Sequence, residues 1–351
     1  MTMFSIGRHL HRFAIGALAC AALAGVSAAP AAEISSELIA KAKQEGQLIY
    51  YTDLIVDQIV RPLVTAFEAK YAIKVSFTRA DSQVNIIKLI NEHKAQRVMS
   101  DVFGLTSGLD VLIDAGAARQ FSSANGNELP PRYRDPNRYW VSSHLFVLTP
   151  GINTSLVPAA QRPKSYDDLL APFWKDKMVW KPNDMSGGPG FIGNILLSMG
   201  EERGMDYLRK LSKQNIRMVN ASARAILDQV IAGEYPLALQ IFNHHAAISA
   251  EKGAPVDWLR LNPATVTPGQ VGLTNNAPHP NAGLLFVEFM TSKEGQQIFQ
   301  NANYLPARPD VPPTTPDLVP EQGGFTATVM TPAITAKGLD HWDKVFDQLF
   351  R

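Results

Sequence analysis

Six short apolar runs in this chain each end in a polar turn and pass directly into a helical pattern. A strand that returns to its sheet through a helix must re-enter in the same direction, so this order demands parallel strands flanked by helices. The runs form two sets. "QLIYYT", "IKVSFTRA" and "DVFGLT" make the first, and "KMVWKP", "IRMVN" and "PLALQIF" the second. Helical spacing follows each, as with Val60, Val64 and Phe67, or with Val84, Ile87 and Ile90 after Ser82. Gly233 and Gly253 stand where helices of the second set should end. Two further strands, near 140–150 and 266–274, separate the sets and are expected to cross between two lobes. The expected fold is therefore α/β and two-lobed, each lobe a mostly parallel sheet flanked by helices. Residues 33–147 and 274–351 are assigned to the first lobe, and 148–273 to the second.

Residues 1–32 stand outside that pattern. Arg8 and Arg12 precede an apolar stretch from Phe13 to Val26, and small residues with Pro30 follow. The stretch is short for a membrane span and is expected to be a secretory signal peptide, which sends the protein to the periplasm. Cys20, the chain's one cysteine, lies inside it, with Ala17 where a lipid-attachment signal would carry a larger aliphatic residue. The processed chain then holds no thiol, which excludes disulfides, thiolate catalysis and cysteine-ligated zinc. The 33 basic and 32 acidic residues balance, and the leader removes only two arginines, so no attraction to nucleic acid or membrane surface is implied. The length exceeds one ordinary core and fits two domains. No cofactor motif stands out, a monomer is expected, and the proline-rich stretch 305–320 has the composition of a surface connection.

In open parallel sheets ligands gather at the carboxyl ends of strands, where the next helix offers unpaired N–H groups and the positive end of its dipole. Six such corners exist here: Thr52 and Asp53; Arg79 to Ser82; Thr106 and Ser107; Ser186, Gly187 and Gly188; Ser222 and Arg224; Asn243, His244 and His245. Hydroxyls, glycines and two arginines facing one another across a gap suit a compact anion, carboxylate or phosphate-like. Each also has a structural explanation: hydroxyls cap helices, glycines permit tight turns, and surface arginines pair with acids. The adjacent histidines diverge in direction on a helix, and no HExxH or CxxC spacing completes a metal set around them. One is expected to contact the ligand while the other packs. Were a metal bound, His244, His245 and Asp81 would be its ligands.

"EGQLIYYTD", "VRPLVTAFEAKYAIKV", "FTRADSQVNIIKLINE", "SYDDLLAPFWKDKMVW", "AGEYPLAL" and "HPNAGLLFVEFMTSKEGQQIF" together resemble solute-binding proteins of bacterial ATP-driven (ABC) importers, on the branch containing periplasmic ferric-binding proteins. The resemblance spans about residues 36–310. It implies a type II fold that closes on a small-molecule solute, delivers it to an inner-membrane ABC permease, and leaves it chemically unchanged. Ferric-binding members carry two adjacent tyrosines where His244 and His245 stand. Imidazole prefers softer ions than Fe(III), so an anionic organic solute is the favoured ligand. Ferric iron, and a hydrolase using His244 or His245 as base, are the rival expectations.

Overall fold

The computed structural model describes residues 34–183 and 185–351. The expected signal peptide, Cys20 included, lies outside the described residues. Twelve strands are described: β1 Gln47–Thr52, β2 Lys74–Arg79, β3 Val102–Leu105, β4 Ala118–Arg119, β5 Val141–Asn153, β6 Met178–Trp180, β7 Arg217–Met218, β8 Leu237–Phe242, β9 Val256–Trp258, β10 Ala264–Thr274, β11 Leu305–Pro306 and β12 Ala327–Val329. They follow the order β2-β1-β3-β10-β5-β8-β6-β7, with the four short strands attached to β5 and β10. At each end of this order the neighbours run parallel, β1 with β2 and β3, β6 with β7 and β8. The two parallel sets expected from the sequence are therefore present.

The crossing strands do more than connect them. β5 and β10 pair antiparallel from Thr265 opposite Leu148 to Val271 opposite Val141, with an irregularity between Gly269 and Gln270. The two sets consequently share one continuous sheet. Every residue of β5 and of β10 is buried. A buried backbone must bond on both edges, which β5 does with β10 and β8, and β10 with β5 and β3.

Three expectations need correction. In the helix Ser82–Lys94 the inward face is Asn85, Ile86 and Leu89, while Val84 and Ile87 are exposed. Two interleaved apolar stripes exist in that segment, and spacing alone does not choose between them. The stretch 305–320 is more than a surface connection: β11 pairs with Leu145 and His144 of β5, and Val311, Leu318 and Val319 are buried. Its prolines suit this position, because an edge strand can do without some of its N–H donors. The terminal helix Pro332–Phe350 was assigned with the first lobe, yet it packs in the cluster of Trp180 and Phe191. There Gly188 and Gly193 expose bare backbone, against which the Phe346 and Trp342 rings lie.

Asp101 fixes the first set. Its fully buried carboxylate accepts the Ile49 N–H at 2.8 Å and the His279 N–H at 2.6 Å, and stands 3.0 Å from His279 Nδ1. One side chain thus joins β1, β3 and the start of the helix Pro280–Thr291. Asp101→Ala strands these donors in the interior, and a loss of about 3 kcal/mol is expected, measured as a lower urea midpoint with an unchanged slope.

Candidate functional site

Three corners of the first set converge on one carboxylate. Thr52 closes β1, and its buried Oγ1 accepts the Leu54 N–H at 3.1 Å, which turns the chain. Asp53 Oδ2 accepts the Ser82 hydroxyl at 2.5 Å and the Thr106 N–H at 2.8 Å, and Ser82 Oγ lies 3.1 Å from the same N–H. Burial raises the Asp53 pKa, while the bonds from Ser82 and Thr106 oppose the shift. Ser107, half-buried, leads into Gly108, whose φ of 78° provides the left-handed turn before the next helix. Arg79 stands exposed at the end of β2 with Asp81 at 3.4 Å. Asp81 faces solvent, and among the described residues no three His, Cys, Asp or Glu side chains are grouped as a metal site requires.

The second set presents a different wall. Ser222 is exposed and caps its own helix, accepting the Ala225 N–H at 3.2 Å. Arg224 donates to Asp228 at 2.7 Å and to Ser249 Oγ at 3.1 Å, joining the helices Ala223–Ile231 and Asn243–Glu251. Both expected arginines are thus held in exposed ion pairs. Ser186 is half-buried in the turn after β6. Gly187 and Gly188 serve the fold: a side chain on Gly187 would meet the Lys181 and Asn183 carbonyls, and one on Gly188 would meet Phe346. The Gly188 N–H already donates to the Lys181 carbonyl at 2.8 Å, which leaves it no amide proton to offer a ligand. Asn243 is buried, with its Nδ2 donating to the Leu318 carbonyl at 2.7 Å. The helix it opens has Phe242 at its N-cap and no side-chain cap, so its first amides are open to an acceptor.

His244 and His245 occupy that first turn, with ring centroids 4.3 Å apart. His244 is 1% exposed beside Phe146 and Tyr304, and neither ring nitrogen has a partner among the described residues. His245 is half-buried against Phe242, with Nδ1 unpartnered. Burial holds the His244 pKa far below its ordinary value and brings His245 down to about 4, with the Arg224 charge acting in the same direction on both. Both rings are neutral at pH 7, so each offers one donor and one acceptor.

Four site neighbours escape sequence analysis. His144 lies in mid β5, its pKa lowered by burial to about 3, with its ring beneath Gly269 and 5.3 Å from that of Tyr304. Gln240 donates to the Gly187 carbonyl at 3.2 Å, and Gln270 reaches toward the Thr106 carbonyl at 3.4 Å. Tyr304 lies between the walls. The available signal was a polar side chain inside an apolar strand for Gln240 alone, since His144 follows Ser142 and Ser143 and Gln270 shares its strand with Thr265 and Thr267. Tyr50 and Tyr51 enter separate hydrophobic clusters on opposite faces of β1 and supply no paired phenols.

Two strand–helix sets joined through paired crossing strands define a type II periplasmic binding protein fold. The model of the bacterial extracellular solute-binding protein family matches residues 99–325, and the chain belongs to that family. It is 24% identical over 296 residues to the Fe(3+)-binding periplasmic protein of Serratia marcescens, covering 79% of this chain and 84% of that one. Trichodesmium FutA, solved in complex with iron and citrate, superposes with a TM-score of 0.74 at 20% identity, covering 87% of this chain and 99% of that one. AfuA of Actinobacillus pleuropneumoniae, solved with fructose-6-phosphate bound, gives 0.68 at 19% identity, covering 86% and 97%. The chain is a bacterial extracellular solute-binding protein, and the proteins it resembles include both ferric-binding proteins and AfuA.

A histidine with a depressed pKa stabilises the fold above its unfolded value, near 6.5, and that contribution disappears as pH falls toward the folded value. For His245 the window runs from pH 6.5 down to about 4. His245→Gln should flatten the dependence of stability on pH in this window by about one proton, as measured by urea unfolding at pH 7, 6 and 5.

Proposed function

We propose that this protein captures a small organic anion, carrying a phosphate or carboxylate group, between its two halves and delivers it to the inner-membrane permease of an ABC importer. The observation that carries this reading is the uncapped start of the helix Asn243–Glu251, with two neutral imidazoles in its first turn. Open amides and the helix dipole favour an oxyanion there, and an imidazole N–H adds a second kind of donor. The walls are electrically unequal. Asp53 on the first repels an oxyanion but accepts hydroxyl donors, so the charged end of the solute faces the second wall and its uncharged end the first. Paired imidazoles in place of phenolates disfavour hard Fe(III) as the cargo.

Closure occurs about β5 and β10, with Arg79, Ser107, Ser186, Ser222 and Arg224 approaching the solute from the rims. The first lobe then comprises residues 33–147 and 274 to about 331, with the terminal helix belonging to the second. The protein acts as a monomer in the periplasm and leaves its cargo unchanged. A histidine held near pKa 4 is a poor general base at neutral pH, which weighs against hydrolysis.

A ligand present at one hundred times its dissociation constant adds about 2.7 kcal/mol to the stability of the native state. A panel of sugar phosphates, phosphonates and carboxylates should therefore contain a compound that raises the melting temperature by several degrees, while Fe(III) with citrate raises it little and gives no orange-red colour. Appearance of that colour, with no organic anion shifting the melting temperature, makes the protein an iron carrier.

A further inference from the structure

The element between the two walls belongs to neither set of corners. The helix Lys293–Asn301 ends with Asn303 in the left-handed region at φ 58°. The Asn303 N–H donates to the Gln300 carbonyl and the Tyr304 N–H to the Phe299 carbonyl, both at 2.9 Å. These are the paired bonds of a Schellman motif, and the Tyr304 ring packs back on Phe299 at 6.2 Å, the apolar contact that accompanies it. Backbone geometry therefore fixes where the phenol goes.

It goes into the seam. The ring lies 5.7 Å from His244 of the second wall and 5.3 Å from His144 of β5. At the other end, the Asp53 and Arg79 charges act on the phenol. Burial pushes its pKa up to about 12, so it remains a neutral phenol at any physiological pH. A neutral phenol keeps its proton, which it can donate to an acceptor that the solute brings.

We propose that Tyr304 is a specificity-determining residue of the cleft, its phenol donating a hydrogen bond to an oxygen in the uncharged part of the bound solute. This rests on the organic-anion reading and adds to it a requirement: the cargo carries an oxygen acceptor away from its charged group, at the distance that separates the first turn of Asn243–Glu251 from the seam. A bare oxyanion meets only the second wall and does not use the phenol.

The test compares two probes, inorganic phosphate and fructose 6-phosphate, on the full protein and on Tyr304→Phe, by calorimetric titration together with ligand-free melting. Tyr304→Phe keeps the ring packing, so its ligand-free melting temperature should stay close to that of the unaltered protein. Its affinity for fructose 6-phosphate should fall about tenfold, the usual effect of removing one hydrogen bond, while its affinity for inorganic phosphate holds. If both affinities fall together with the melting temperature, or if neither falls, the proposed role of the phenol is wrong and the organic-anion reading survives. Failure of the unaltered protein to bind fructose 6-phosphate overturns the phenol's proposed role toward this class of solute, and the organic-anion reading is then decided by the wider panel of phosphonates and carboxylates.

Discussion

The pairing of β5 with β10 is the constraint on which the other features depend. Both strands are buried along their whole length, and each has a bonded neighbour on either edge. An unpaired N–H or C=O in such a position costs on the order of 1–3 kcal/mol, so neither strand can separate from the other without a large penalty. The closure proposed above takes place about this seam, with the helices and parallel strands on each side carried by it. Mobility about a fixed seam is what a receptor needs if it is to enclose its cargo and later release it.

The corners are held by interactions of unequal kind. On the first wall one partly buried carboxylate gathers the ends of β1 and β3 and the start of the helix Ser82–Lys94. On the second, helix amides and imidazoles remain open, and several of the polar atoms nearby are buried without partners, among them Gln240 Oε1, Asn243 Oδ1 and both ring nitrogens of His244. Buried polar groups are normally satisfied, so these atoms are available to a polar guest, and unpartnered buried atoms occur beside the first set as well, at Tyr50 Oη, Asn85 Oδ1 and Gln270 Oε1.

Much of this arrangement could be foreseen from residue order. The alternation of strands and helices placed Thr52, Asp53, Ser82, Thr106, Asn243, His244 and His245 at strand ends because a parallel sheet offers its turns nowhere else. Three kinds of information were missing. Ion-pair partners depend on helix rotation, so the commitment of Arg224 to Asp228 and Ser249 could not be separated from a free guanidinium. Glycines read as openings for a ligand proved to be openings for Phe346 and for carbonyl oxygens, which only tertiary packing reveals. Tyr304 was hidden because it follows a helix end and introduces a proline-rich stretch, a composition that normally means surface, whereas β11 binds this one to β5.

On the function proposed above, the seam between the halves holds an organic anion. This is tested most directly by native mass spectrometry of the protein released from the periplasm of its own cells, under conditions gentle enough to retain cargo. The account predicts one non-covalent adduct per monomer, whose fragmentation yields a phosphate- or carboxylate-bearing ion and which disappears on acid unfolding. A bound mass equal to iron, alone or with a small synergistic anion, would contradict it.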